Sequence, residues 1–174
     1  GAEFFVNKTA GQLTGWVGYT LSWTTRNFDE IMNGATFPAR YDRRHDVSIL
    51  VNYELNDKWN FSTVWVFSTG NASTIPNSFY TINGNLYIDY GDHNAWRMPN
   101  YHRLDLSATW NAFNRKHVAG NLNFSIYNVY NRKNPYMVSY SMLQDENTNK
   151  LEIKAFQISL FPILPSVSLN LTFK

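Results

Sequence analysis

The chain has 174 residues, enough for one domain with a real core, and its formal net charge is only +2. No basic stripe is present to neutralise nucleic-acid phosphates, so nucleic acid is excluded as the expected partner. The absence of cysteine excludes disulfide frameworks and Cys-ligated zinc or iron–sulfur sites. Aromatic residues reach 17% while charged residues are 16%, against about 25% charged in an ordinary soluble domain. The polar half is Asn, Ser and Thr rather than Lys and Glu. A weakly charged polar lumen, a lipid-facing apolar band and Trp/Tyr girdles would produce this mixture.

Period-two alternation recurs along the chain and predicts strands with one apolar and one polar face. The expected elements begin with a strand at about 1–9 and a short turn at Ala10-Gly11-Gln12. A strand at about 13–27 follows, with Leu13, Val17, Tyr19, Leu21 and Trp23 on one face. A long loop is expected at 28–42. Strands at about 43–55 and 58–70 then meet at a tight Asn56-Asp57 turn; Val47, Ile49, Val51 and Tyr53 alternate with Ser48, Asn52 and Glu54. A long excursion at 71–98 contains its own hairpin signal, Asn83-Gly84 between Phe79–Ile82 and Leu86–Ile88. Strands at about 100–113 and 117–142 are joined at Asn114-Arg115-Lys116. A loop around Gln144–Asn149 leads to a last strand at about 150–173. Pro135, Pro162 and Pro165 fall inside the last two long strands and predict bends or bulges there.

Short and long connections alternate strictly. In an outer-membrane barrel the periplasmic turns are short and the outer loops long, and the order here fits that parity. The expected fold is therefore all-β, with about seven to eight antiparallel transmembrane strands in one unit over residues 1–174. Seven strands do not close a single-chain bacterial barrel, which points to part of a larger one.

Two stretches carry a family resemblance. Arg97-Met-Pro-Asn-Tyr-His-Arg-Leu-Asp-Leu-Ser-Ala-Thr-Trp resembles the stretch that begins the penultimate hairpin of TonB-dependent outer-membrane receptors. Asn121-Leu-Asn-Phe-Ser-Ile-Tyr-Asn-Val-Tyr-Asn-Arg-Lys-Asn-Pro-Tyr is similar to that family's ascending strand, with Asn128, Val129, Tyr130, Asn131, Arg132 and Lys133 matching its hallmark one by one. Ser166 to Phe173 looks like the closing strand, although Lys174 follows the aromatic on which the family usually ends. The resemblance implies the C-terminal part of a barrel of about 22 strands, without the plug domain and the other barrel strands. It implies wall and outer loops for TonB-dependent, energy-coupled uptake of a scarce ligand such as a metal chelate, cobalamin, a glycan or a peptide. The implied setting is the bacterial outer membrane, and the implied partners are its lipid, a plug domain and the TonB energy-coupling protein.

Within that frame Tyr80, Tyr87, Tyr90 and Trp96 are the candidate ligand-contacting residues of the outer loops, because aromatic faces stack on sugars and chelate rings. The competing reading makes them interfacial or loop-packing aromatics. Arg103, Asp105, Asn52 and Glu54 are expected on the lumen face, paired with neighbouring strands. Asp89, Asp92 and His93 bring oxygen and imidazole donors together without the spacing of a cation loop, so no metal and no cofactor is expected. No nucleophile–base pair, phosphate loop or nucleotide motif is present, so an enzyme is not expected. Made alone, the unit is expected to self-associate edge to edge or to recruit loop segments. The alternative is a small free-standing β-barrel for binding or adhesion, soluble and lipocalin-like, with the apolar stripes turned inward.

Overall fold

A computed structural model describes residues 1–83, 85–144 and 151–173. Gly84 of the expected hairpin turn, residues 145–150, which include most of the loop expected around Gln144–Asn149, and Lys174 lie outside the described residues. In chain order the strands are β1 (Ala2–Lys8), β2 (Leu13–Leu21), β3 (Thr25–Arg26), β4 (Phe37–Pro38), β5 (His45–Asn56), β6 (Trp59–Ser68), β7 (Ala72–Ser73) and β8 (Pro76–Ile82). They continue as β9 (Asn85–Tyr90), β10 (Trp96–Arg97), β11 (Tyr101–Asn114), β12 (Val118–Tyr127), β13 (Pro135–Gln144), β14 (Leu151–Ser159) and β15 (Leu164–Phe173). One short 3₁₀ turn lies at Met32–Gly34.

Seven of these strands form one antiparallel sheet in the order β1-β2-β5-β6-β11-β12-β15. Every consecutive pair in that order is also consecutive along the sheet path, so the topology is a simple meander. The sheet is open, since β1 pairs only with β2 and β15 only with β12 among the described residues. The alternation read from the sequence maps onto two distinct faces. Val17, Ile49, Trp65 and Leu104 form one cross-strand row of the apolar face. Tyr53, Phe61, Ala108, Phe124 and Val167 form a second, and Trp59, Trp110, Leu122 and Leu169 a third. On the opposite face Thr14, Asn52, Ser62, Ser107, Ser125 and Ser166 make a polar row across six strands. Asn111, Asn121 and Asn170 make a further one. The polar face has one apolar patch, where Phe5 lies against Trp16 (ring centroids 5.9 Å apart) and the Trp16 row continues through Leu50 and Val64.

The three short turns fall at one end of the sheet and the three long connections at the other. Asn56 closes the β5–β6 turn by accepting the Lys58 and Trp59 N–H groups at 2.9 and 3.0 Å. That is the local bond that favours Asn at such a site. The β11–β12 turn is preceded by a bulge between Asn111 and Phe113. Phe113 then lies over Gly120: a Cβ there would sit 2.5 Å from the phenyl ring, so any larger residue would push the ring aside.

Three expected strands end earlier than their periodicity suggests. The strand expected over 13–27 stops at Leu21 and resumes only as the two-residue β3. The one expected over 117–142 is two strands, β12 and β13, and the one expected over 150–173 is β14 and β15. β13 and β14 leave the sheet and pair with each other. The break has a physical cause in Asn128 and Asn131, both in the left-handed region (φ 54 and 51), which asparagine tolerates and a strand does not. The proline expectation holds at Pro135, where β13 opens with a register shift, and at Pro162, which lies between β14 and β15, but not at Pro165, which pairs with Ile126 in regular register.

Among the described residues none forms a layer over either face of the sheet. The only buried apolar side chains among the described residues are Phe37, Ala39 and Ala72, and all three belong to the long connections. A folded chain of 20.2 kDa ordinarily exposes about 8,800 Å², whereas this one exposes 12301 Å².

Candidate functional site

The packed part of the molecule is a platform beneath two long connections, those from β2 to β5 and from β6 to β11. Its centre is Asp42, 2% exposed. Arg97 donates through its guanidinium to both the carboxylate and the backbone carbonyl of Asp42, and Arg44 approaches the same carboxylate at 3.9 Å. The Thr24 N–H also donates to it. Burial alone would raise the Asp42 pKa. The hydrogen bonds from Arg97 and Thr24, with the charges of Arg97 and Arg44, outweigh it and hold the carboxyl below its ordinary value.

Asn94 ties the second connection to the first. Its backbone is left-handed (φ 56), its N–H donates to Thr74 Oγ1 at 2.9 Å, and its side-chain amide donates to the Pro38 carbonyl at 2.9 Å. The small ladders β3–β4 and β7–β10 complete the frame. Gly70 is required here, since a Cβ on it would fall 1.6 Å from the Met98 carbonyl oxygen. Over the platform opens a cleft of about 530 Å³ lined by Arg26, Phe28, Phe37, Arg40, Tyr41 and His93, among others. Phe37 links its aromatic walls, 6.2 Å from Phe28 and edge-on to His93 at 4.7 Å.

The four aromatic candidates are not brought together. Tyr80 and Tyr87 are register partners in the β8–β9 hairpin, stacked with centroids 5.8 Å apart and both exposed. Tyr90 is exposed on the opposite face of that hairpin, because an offset of three residues from Tyr87 reverses the side chain. Trp96 sits apart in β10, opposite Ser73. Asp89 bonds Ser78 at 3.3 Å while His93 packs on Phe37, so these two possible metal donors face different neighbours.

Arg103, Asp105, Asn52 and Glu54 do share the polar face, at two places on it. Asn52 accepts the Ser62 hydroxyl, and Glu54 lies beside the β5–β6 turn. Arg103 and Asp105 lie toward the long connections. Arg103 forms its ion pair with Asp105 on its own strand, at 2.9 Å, and donates to Tyr101 of that strand at 2.9 Å and across to Tyr127 of the neighbouring β12 at 2.7 Å. The guanidinium lies 4.2 Å from the Tyr127 ring centroid. The other Asp105 oxygen accepts the Asn128 N–H at 2.9 Å. Asn128, 1% exposed, then fixes the β12–β13 corner: its amide donates to the carbonyls of Arg132 and Phe161 and accepts the Arg132 N–H.

Sequence reasoning missed the platform and its cleft. The one signal was Arg40-Tyr41-Asp42-Arg43-Arg44, a dense basic run around a single carboxylate. The chain matches no known family model, no curated protein and no solved structure.

Proposed function

We propose that this chain forms part of the wall and outer loops of a bacterial outer-membrane β-barrel receptor that takes up a scarce ligand in a TonB-dependent manner. The observation that carries the reading is the uncovered apolar face. It runs across seven antiparallel strands with no layer over it among the described residues. Such a face in water would be an association or aggregation liability, whereas lipid covers it without cost.

Three further features support the reading. Six of the seven strands, from the nine-residue β2 to the fourteen-residue β11, reach the roughly 9–11 residues that a tilted strand needs to cross a bilayer. Aromatics gather toward both ends of the apolar face. Trp59, Phe61 and Trp110 lie near the short turns, Phe4, Tyr19 and Phe67 near the long connections, and the row Val51, Thr63, Leu106 and Ile126 between them holds no aromatic. That is the arrangement of interfacial aromatic belts. The segregation of long connections to one end, with a braced platform there, suits loops that meet a ligand outside. The two unpaired edges suit further barrel strands on either side. The receptor family itself rests on the sequence resemblance around Arg97–Trp110 and Asn121–Tyr136.

A second reading has one observation in its favour. A groove of about 470 Å³ lies on the apolar face, lined by Val51, Phe61, Leu106, Phe124 and Val167 among others. If the sheet curled around that groove it would hold an apolar ligand, as a small soluble barrel does. Light scattering with and without micelles separates the two. Dispersal only with detergent is expected; a clean monomer in plain buffer would overturn the membrane reading and favour the soluble barrel.

A further inference from the structure

We propose that the cleft over the Asp42 platform binds a small organic anion, an aromatic or similarly flat ring carrying a carboxylate or phosphate group. The inference stands on the geometry of the loops and does not depend on the membrane reading.

The cleft volume of about 530 Å³ lies within the roughly 300–1,000 Å³ range of small-molecule sites. Two guanidinium groups line it and no carboxylate does, among the described residues. Arg26 is oriented by Tyr41, donating to its hydroxyl at 2.6 Å with the guanidinium 5.4 Å from the ring centroid. Arg40 is exposed and has no ion pair or hydrogen bond among the described residues. The neighbouring carboxylate in sequence, Asp42, cannot neutralise it, because it is buried and committed to Arg97 and Arg44. Asp29 and Glu30, farther along the same connection, do not line the cleft.

A guanidinium presents a planar fork of donors that matches a carboxylate or phosphate edge. The rings complete the recognition. Phe28 and Tyr41 are 47% and 61% exposed, although they lie beside the best-packed side chains of the molecule. Exposed aromatic faces next to an unsatisfied cation, fixed on a rigid base, form a slot for a ligand with one flat apolar part and one anionic part. A preorganised base also lowers the ordering cost of binding.

The test uses the full chain, in whichever medium disperses it, and three fluorinated probes followed by ¹⁹F line broadening: 4-fluorobenzoate, 4-fluorophenyl phosphate and 4-fluorobenzyl alcohol. Saturable broadening is expected for one or both anions and not for the alcohol; which anion binds names the head group. Arg40→Ala is expected to weaken binding about tenfold, the scale of one charged hydrogen bond. Phe28→Ala is expected to weaken it as well, and Lys58→Ala, at the opposite end of the sheet, to leave it unchanged. If Arg40→Ala fails to give the wild-type circular dichroism, Arg40→Gln removes the charge and keeps the bulk. Saturation by the alcohol as tight as by the anions, no saturation by either anion, or unchanged affinity in the folded Arg40 variant would each overturn the proposal. None of these results bears on whether the sheet faces lipid.

Discussion

Arg97, at the end of one long connection, clamps Asp42, at the end of another, across 55 positions of sequence, holding both its carboxylate and its backbone carbonyl. Two loops that could move separately are thereby fixed to one another, and the cleft opens above the joint. Removing one partner leaves the other poorly satisfied, and the buried one is Asp42. Arg97→Ala is expected to destabilise the platform by about 1–3 kcal/mol, less than for a fully buried pair because Arg97 is 38% exposed to screening solvent. Hydrogen exchange should show amides of 37–42 and 94–98 losing protection while those of β11 and β12 keep theirs.

The same carboxylate gives the platform a pH dependence. The pKa of Asp42 is depressed on folding, so its contribution is fully present above its ordinary unfolded value of 3.8 and is lost as pH falls through the lower folded value. Limited proteolysis with an acid protease should therefore find the loops resistant above about pH 4 and increasingly cut below it. Asp42→Asn, which has no such proton to gain, should flatten that profile while lowering resistance at neutral pH.

Asn128 combines a left-handed backbone with three hydrogen bonds from its amide group. Asn128→Ala removes all three and places a less tolerant residue at φ 54. A loss of about 2–4 kcal/mol in denaturant unfolding is expected. Asn128→Gly keeps the backbone and loses only the bonds, so it should be milder. Equal losses in the two variants would remove the backbone from the explanation.

Arg103 serves Asp105, Tyr101 and Tyr127 at once through its planar fork. A lysine ammonium cannot hold all three in that geometry, so Arg103→Lys should cost about 1–2 kcal/mol. Tyr127→Phe, which removes one bond and keeps the ring under the guanidinium, should cost about half as much in the same unfolding assay.

At Gly70 the opposing atom is the Met98 carbonyl, part of the backbone rather than a yielding side chain. Gly70→Ala should cost about 1–3 kcal/mol and weaken the bond from Met98 N–H to the Asn71 carbonyl, now 2.9 Å. Gly34→Ala places its methyl in open space, though on a left-handed backbone, and should cost less in thermal unfolding.

The sheet was largely legible because period-two alternation is a local signal. Leu104, Leu106 and Trp110 against Arg103, Asp105 and Thr109 announce their faces without any tertiary information, and the register confirms them. The ends of β12 and β15 were not legible, because the pattern of Ile126-Tyr127-Asn128-Val129 continues through the left-handed corner that stops the strand. Leu50 and Val64 were hidden for a related reason. They sit on the polar face, where alternation predicts polar residues, and only the register shows that they meet. The platform was illegible because it depends on a contact between Arg97 and Asp42 that no local pattern encodes. Aromatic faces in an expected outer loop singled out Tyr80, Tyr87, Tyr90 and Trp96, but pairing geometry joins only the first two.

The account turns on which way the apolar face points. The chain has no cysteine, so single cysteines at Leu106, Ser107, Ala108 and Thr109, in the middle of β11, can each carry a spin label without background. In lipid vesicles, collision with molecular oxygen should peak at 106 and 108, and collision with a water-soluble nickel chelate at 107 and 109. The opposite phase, with 106 and 108 shielded from lipid, would contradict the account and turn the apolar face inward.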